Sequence, residues 1–495
     1  MRETLAFPEA RLATEDTQRA SLVFCLLAAV VIAAALLGFA TSLLQDPDSW
    51  WHIKVGTDLL ASRTFPTVDA YSYTFAGHPW IAKEWLGQVL LALAYKAGGW
   101  NGVVLLAVAA IALTVFLMSW YLSAWLKPTL AIGLTLVLAL LIGPIYVARP
   151  HIFTLPIIVV WTAGLFEAAR NEKAPPLWLL ALLCLWANLH ATFTFGFVIA
   201  AFAGLDLLMR TRFSNPRQLA KWIAFGLLCP LVSLLNPYGI KAILATFTVA
   251  YGNEAVPYIT EWQPFDASRH TLQEVALLMA FFGLLVSRLR IGWAKALFLV
   301  FALHVYLTHI RFMYLFFLLV PVVLAVEVAQ QYPAFSAARW AAEKRDGLEQ
   351  FFARHFSKVC AGIAVLPVLA AAAFMAYPVV PSQKTSARDA LAFAESHNLS
   401  GNLLNSYDFG GTLIFHGIKT YIDGRADQLF LNGFTETDEQ TGHSRGKPIL
   451  KAQLEKYAIG WALLTADDSR IPFFDELGWK RAYADHYAVI YTRAD

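Results

Sequence analysis

The chain has 495 residues, of which 58% are hydrophobic and 15% charged, whereas soluble proteins carry about 45–50% apolar and about 25% charged residues. That balance excludes a single soluble globular enzyme and fits several membrane spans joined to one small polar module. The net charge of +3 is too small to argue for nucleic acid. Cys25, Cys184, Cys229 and Cys360 all lie in apolar runs and form neither a disulfide framework nor a zinc spacing.

A span needs about 20 predominantly apolar residues. On that criterion helices are predicted near 21–44, 102–126, 129–148, 152–169, 176–190 and 192–209, and then near 219–236, 272–287, 293–308, 311–330 and 359–379. The run Ser21 to Leu44 is too long for a signal-peptide core and reads as an uncleaved anchor behind a cytoplasmic segment 1–20. Lys and Arg set the orientation, because translocated short loops are poor in them. One set of alternating loops, from Arg2, Arg11 and Arg19 through Lys127, Arg170 and Arg210 to Arg354 and Lys358, carries eighteen; the other set carries eight. The expected fold class is therefore a polytopic α-helical membrane protein of about eleven spans over 21–380, with the N-terminus cytoplasmic and residues 382–495 outside. After Val380-Pro381-Ser382 the composition turns polar. Helix-like stretches at 387–397 and 448–456, with short β-branched runs at 420–422, 461–464 and 488–491, predict a small extracytoplasmic α/β domain. The stretch 331–357 reads as a charged amphipathic helix on the cytoplasmic membrane surface.

The first outer loop, 45–101, opens on Asp46-Pro47-Asp48-Ser49-Trp50-Trp51-His52, two carboxylates at the end of the first span. Such a pair can bind a divalent cation or act as a general base; Asp-Pro-Asp is equally an ordinary turn. Asp69 and Glu84 follow in the same loop, where 49–62 and 80–97 read as two interfacial helices. Other outer ends bring Arg149 and His151, then His190, then His309 and Arg311, with His304 deeper. Six of the twelve histidines, His52, His78, His151, His190, His270 and His309, fall on this face. A histidine at a helix end is ordinarily structural and an arginine there can snorkel, but together these residues predict a polar cavity that opens outward. Arginine is also the bidentate partner of phosphate. The long loop 238–271, with Tyr251, Glu254, Tyr258, Glu261, Trp262, Asp266 and Arg269, reads as a partly ordered lid or as a plain surface excursion.

With Asp46, Asp48, Trp50, Trp51 and His52, then Pro66, Asp69, Tyr71, Ser72 and Thr74, then Gly77, Trp80, Glu84, Trp85 and Leu86, the sequence resembles the GT-C class of membrane glycosyltransferases. The resemblance extends to 405–411 and 421–427. It implies a transferase that takes a sugar from a polyprenyl-phosphate donor at the outer face of a bacterial cytoplasmic membrane, with a lipid, glycan or protein acceptor. Asp46 or Asp48 would be the general base and Glu84 a second acid. Arg149 and Arg311 would meet the departing lipid phosphate, and Trp51, His52, Asp69, His151, His190 and His309 would bind substrate. A cation such as Mg or Mn, if used, would fall to Asp46, Asp48 and Glu84. Two other classes remain open: a transporter or flippase of lipid-linked glycans, and a non-catalytic protein of envelope polysaccharide assembly. The Asp423-Gly424-Arg425-Ala426-Asp427 run reads as a local ion-pair knot or as part of a site.

Overall fold

The computed structural model describes residues 15–212, 214–250, 253–342 and 347–493. The expectations for residues 1–14, for Tyr251 and for 343–346 within the surface helix lie outside the described residues. Among the described residues fifteen α-helices precede the C-terminal region: α1 Glu15–Gly38, α2 Asp48–Ser62, α3 Trp85–Ser123, α4 Pro128–Ile142, α5 Leu155–Arg170, α6 Trp178–Leu189, α7 Thr194–Thr211 and α8 Pro216–Ser233. They continue with α9 Ile240–Ala250, α10 Thr271–Ser287, α11 Trp293–Thr308, α12 Met313–Gln331, α13 Ala337–Ala342, α14 Gly347–Arg354 and α15 Phe356–Met375. Each of the eleven predicted spans coincides with one of these helices. Among the described residues seven are long and apolar enough to cross a membrane: α1, α3, α4, α5, α7, α12 and α15, four of them counted with a flanking 3-10 turn.

The helices form because uninterrupted Leu, Ala, Val and Ile runs satisfy their backbone internally, the requirement of a lipid environment. α5 is buried around nearly its whole circumference against α3, α7 and α12, and its continuous apolar surface suits the middle of a bundle. α3 buries Val104, Ala107, Ile111, Val115, Met118 and Leu122 at helical spacing. α15 instead exposes almost every side chain, as a lipid-facing helix does. Gly98 and Gly99 break α3, and the φ of Gly99, 57°, with ψ −146°, is a conformation that glycine tolerates. The break separates the interfacial helix from the span, so the predicted 80–97 and 102–126 share one element with a kink. Its first turn begins at Trp85: residues 80–82 are irregular, 83–84 form a turn, and Ile81 and Lys83 are bound to Gln428 and Asp427 of the C-terminal domain. Within the predicted surface helix 331–357 the described residues hold a 3-10 turn at Pro333–Phe335, then α13 and α14.

At one end of the bundle Arg210 pairs with Asp206 at 2.8 Å and with Glu327 at 3.7 Å, and Lys295 also pairs with Glu327. This network, buried at Asp206, Lys295 and Glu327, joins α7, α11 and α12. The opposite ends of these helices carry the cavity described below.

The C-terminal region contains a four-stranded sheet, β1 Asn402–Asn405, β2 Ile459–Thr465, β3 Lys480–Ala484 and β4 Ala488–Thr492, in the order β1-β2-β4-β3. β1 and β2 are parallel and the other pairs antiparallel. Side chains alternate across the sheet. Leu403, Trp461, Leu463, Ala488 and Ile490 face the helix Arg388–Ser396 side, whereas Leu404, Ala462, Leu464, Val489 and Tyr491 face the other. The expected runs 461–464 and 488–491 are strands, but 420–422 is not. Thr420 makes a single bridge to Ser72 before the side chain of Asp423 turns the chain away.

That bridge marks the main departure from a bundle with a separate appendage. The first loop and the C-terminal region share one hydrophobic core, including Val55, Trp80, Tyr421, Phe430 and Leu454. Tyr73 donates its backbone N–H to Thr420 at 3.1 Å, Thr74 its hydroxyl to the carbonyl of Tyr421 at 2.7 Å, and Tyr73 its hydroxyl to that of Leu403 at 2.9 Å. Asn101 holds the connection as well, donating to the carbonyls of Phe374 and Tyr377 and accepting from the Val379 N–H, each at 2.8 Å.

Candidate functional site

Asp46, Pro47 and Asp48 form a tight entry to α2, in which the Asp48 N–H donates to Asp46 Oδ1 at 2.8 Å. One helical turn on, Trp51 lies on the same face as Asp48 and donates its indole N–H to Asp48 Oδ1 at 2.9 Å. Arg149, held extended just before Pro150, reaches across from the start of the α5 segment. Its guanidinium lies 3.2 Å from Asp46, 3.0 Å from Asp48 and 3.0 Å from Glu261. The second oxygen of Glu261 meets Arg311 at 2.9 Å, and the Arg311 guanidinium stacks over Trp262 at 4.3 Å. The Asp-Pro-Asp turn and the arginine before α12 are thus linked through one loop carboxylate.

Glu84, just before α3, forms a second group. His190 Nε2 lies 3.2 Å from its Oε1 and His52 Nε2 3.8 Å from its Oε2. The Thr192 N–H donates to His190 Nδ1, so neutral His190 carries its proton on Nε2, aimed at Glu84. Gln88 meets His52 Nδ1 at 3.2 Å, while the buried His52 Nε2 has no hydrogen-bond partner among the described residues.

Burial raises both carboxylates. Asp48 is pushed up to about 8 by desolvation, against the opposing pull of Arg149, and desolvation lifts Glu84 to about 7. Burial also pushes Glu261 upward, but Arg149 and Arg311 outweigh it and hold that carboxyl at about 2. His52 is driven well below its usual range by burial and then by Arg149. The three carboxylates around Arg149 are therefore unequal, one firmly ionised and one poised near neutrality.

These residues line a cavity of about 960 Å³. Asp46, Asp48, Trp51, His52, Glu84, Arg149, His190, His309 and Arg311 all border it. Two expected residues do not. His151 stands behind His190, with ring centroids 6.1 Å apart, and binds the Ile145 carbonyl. Asp69 is fully buried elsewhere: it pairs with Arg425 and accepts the N–H groups of Tyr71 and Ser72 at 2.9 and 3.1 Å. His78 and His270 also lie away from the cavity, packed on Phe75 and Phe265. The lining also has an apolar set, Phe195, Phe197, Val198, Phe301, Val305 and Phe312, with Thr194, His304 and Thr308 among them.

The C-terminal domain supplies the roof, including Tyr407, Asp408, Gly424, Asp427, Asp438 and Glu439. Tyr407, Asp408, Gly424 and Asp427 lie in the stretches 405–411 and 421–427 that the resemblance covers, the second of which holds the run that reads as an ion-pair knot or as part of a site; Asp438 and Glu439 are not singled out by the sequence. Gly411 and Gly424 permit the approach. A Cβ at Gly411 would lie 2.0 Å from the Pro47 carbonyl oxygen, and one at Gly424 would lie 1.8 Å from Asp48 Oδ1. Gly424→Ala is accordingly expected to cost about 1–3 kcal/mol by overpacking, read as a lower melting temperature in detergent. An unchanged melt would show that the roof does not press on Asp48. Lys83 pairs with Asp427 of the same roof.

No protein-family model and no curated protein matches the chain. Among the described residues no group of three or more His, Cys, Asp or Glu is arranged to hold a metal ion. Asp46 and Asp48 converge on the Arg149 guanidinium, whose positive charge takes the place between them that a shared cation would need, and Glu84 faces His52 and His190. This donor set does not fit a divalent cation.

Proposed function

We propose that the chain is a GT-C-type glycosyltransferase that moves a sugar from a polyprenyl-phosphate donor to an acceptor hydroxyl at the extracytoplasmic face of a bacterial cytoplasmic membrane. In this reading all eleven apolar helices span, the N-terminus is cytoplasmic and the C-terminal domain is outside. One observation carries it: the cavity lining divides into carboxylates, arginines and histidines and a set of aromatic and aliphatic side chains from α7 and α11. A lipid-linked sugar has the same division. The polar set is also built from helix ends that the Lys and Arg count assigns to the outer face.

Asp48 is the general base, because a buried carboxylate poised near neutrality both accepts a proton and holds it well at working pH. It takes the acceptor proton as the acceptor oxygen attacks the anomeric carbon and the bond from that carbon to the phosphate oxygen breaks, with inversion. Charge grows on the leaving phosphate, where a preorganised cation helps most. Arg311 meets that charge, since Glu261 is the one carboxylate it faces among the described residues. Arg149, surrounded by three carboxylates, holds the acids in place and offers the phosphate only its Glu261-facing edge. Glu84, supported by His190, orients the acceptor or donor sugar.

The test is the lipid-linked sugar pool of cells that lack the chain. The unused polyprenyl-phosphate sugar is expected to accumulate and to return to normal with the wild-type chain but not with Asp48→Asn. A pool unaltered by deletion would remove the reading.

A further inference from the structure

The carboxylate of Glu261 joins two arginines that precede different helices, α5 and α12, with Arg149 Nη1 at 3.0 Å from one oxygen and Arg311 Nη1 at 2.9 Å from the other. Two guanidinium groups facing one planar anion is an arrangement suited to a phosphate as well as to a carboxylate. Glu261 is not part of either helix. It lies in the 3-10 turn Thr260–Trp262, which follows another, Val256–Tyr258, and both border the cavity. The segment is tied at its two ends. Asn253 donates to the Asp427 carbonyl at 2.9 Å, and the Trp262 carbonyl bonds His309 Nδ1 at 2.7 Å. Between these anchors Val256, Pro257, Tyr258, Ile259 and Thr260 are exposed or half-buried. The Glu261 carboxylate is the polar tie of this stretch to the helices among the described residues.

We infer that Glu261 is a resident anion occupying the phosphate site of the donor-free cavity, and that a prenyl phosphate ester displaces it and frees the 256–261 segment. The inference rests on the function proposed above and adds to it how the site stays closed before the donor arrives. Charge favours the exchange. A sugar phosphodiester carries one negative charge, as the carboxylate does, so the two arginines remain neutralised when one replaces the other. Without Glu261 the half-buried Arg311 would lose its one paired carboxylate among the described residues, at a cost, while Arg149 would keep Asp46 and Asp48; the resident carboxylate spares the empty site that state. Arg311 remains stacked on Trp262 throughout, so the ring keeps the guanidinium aimed at whichever anion is present.

The test uses the full chain in detergent, farnesyl phosphate as the probe, and Glu261→Gln, which keeps the shape of the side chain and removes its charge. Binding measured by calorimetry is expected to tighten about tenfold to a hundredfold, the worth of a competing charge-assisted hydrogen bond. In the wild type, farnesyl phosphate is expected to increase hydrogen exchange across 256–261. Equal or weaker binding by the Gln variant, or exchange in the wild type that is unchanged or slowed, overturns the inference. If the variant does not fold, the wild-type exchange measurement decides alone. Neither readout requires sugar transfer. Tighter binding without transferase activity would sink the proposed function and leave the anion exchange standing; transfer with unaltered binding would do the reverse.

Discussion

Asp48→Asn is expected to lower sugar transfer by about 10²–10⁴-fold, the usual contribution of a general base, while the protein melts no lower than the wild type. The two halves of this result have one origin. Burial lifts Asp48 from 3.8 to about 8, so at neutral pH the folded chain retains a proton that the unfolded chain has released. Linkage then makes this group's contribution to stability fall as pH climbs from 3.8 towards 8. Asn removes that penalty and leaves Arg149 with Asp46 and Glu261 as partners. Transfer by the wild type should accordingly rise with pH through a limb near 8, as the base loses its proton. Asp46→Asn lacks this coupling to the reaction, and its main effect is on the turn that leads into α2. A variant Asp48→Asn that transfers at wild-type rate would assign the chemistry to another group. One that is inactive but unfolded would leave the residue structural.

The largest stability effect belongs to Arg425→Met. The side chains of Arg425, Asp69 and Asp423 are all at 0% exposure. The guanidinium also faces the rings of Tyr71 and Trp80, at 5.2 and 5.1 Å. Removing the cation strands two buried carboxylates, an event that costs about 3–5 kcal/mol. Because Asp69 belongs to the first loop and Asp423 to the C-terminal domain, the loss should appear both as a lower melting temperature and as faster proteolysis around 376–388, where the two parts separate. Adding Asp69→Asn and Asp423→Asn to Arg425→Met is expected to recover part of the loss, since it removes the stranded charges. A single variant that melts like the wild type would mean that the knot does not hold the loop to the domain.

The polar lining of the cavity was legible in the sequence for a physical reason. Charged and imidazole side chains are expensive within apolar spans, so they gather at span ends, and counting loops by Lys and Arg tells which ends share a face. Asp46, Asp48, Glu84, His52, His190, Arg149, His309 and Arg311 were reachable in this way, and the structure brings them to one cavity. Glu261 stood among several loop residues with nothing local to set it apart; its position depends on two arginines brought together by helix packing. The roof residues Tyr407, Gly424 and Asp438 are contributed by docking of the C-terminal domain, which leaves no periodic pattern. Asp69 shows the converse. As an acid beside aromatic residues in the first loop it matched the features of a substrate ligand, yet its partner Arg425 lies 356 positions away. The Arg425 knot was visible only in its local half, Asp423. The kink at Gly98 and Gly99 is a further case, since an apolar run continues through it and only the backbone conformation separates interfacial helix from span.

The central claim, that this cavity breaks the bond between a sugar and a polyprenyl phosphate, is tested most directly with the purified full chain in vesicles containing polyprenyl-phosphate sugar labelled in both the lipid and the sugar. With an extract of candidate acceptors on the side facing the C-terminal domain, labelled sugar is expected to pass to the acceptor as free polyprenyl phosphate appears in equal amount, and neither change is expected with Asp48→Asn. Movement of intact lipid-linked sugar across the bilayer, with no free polyprenyl phosphate formed, would contradict it and identify a flippase instead.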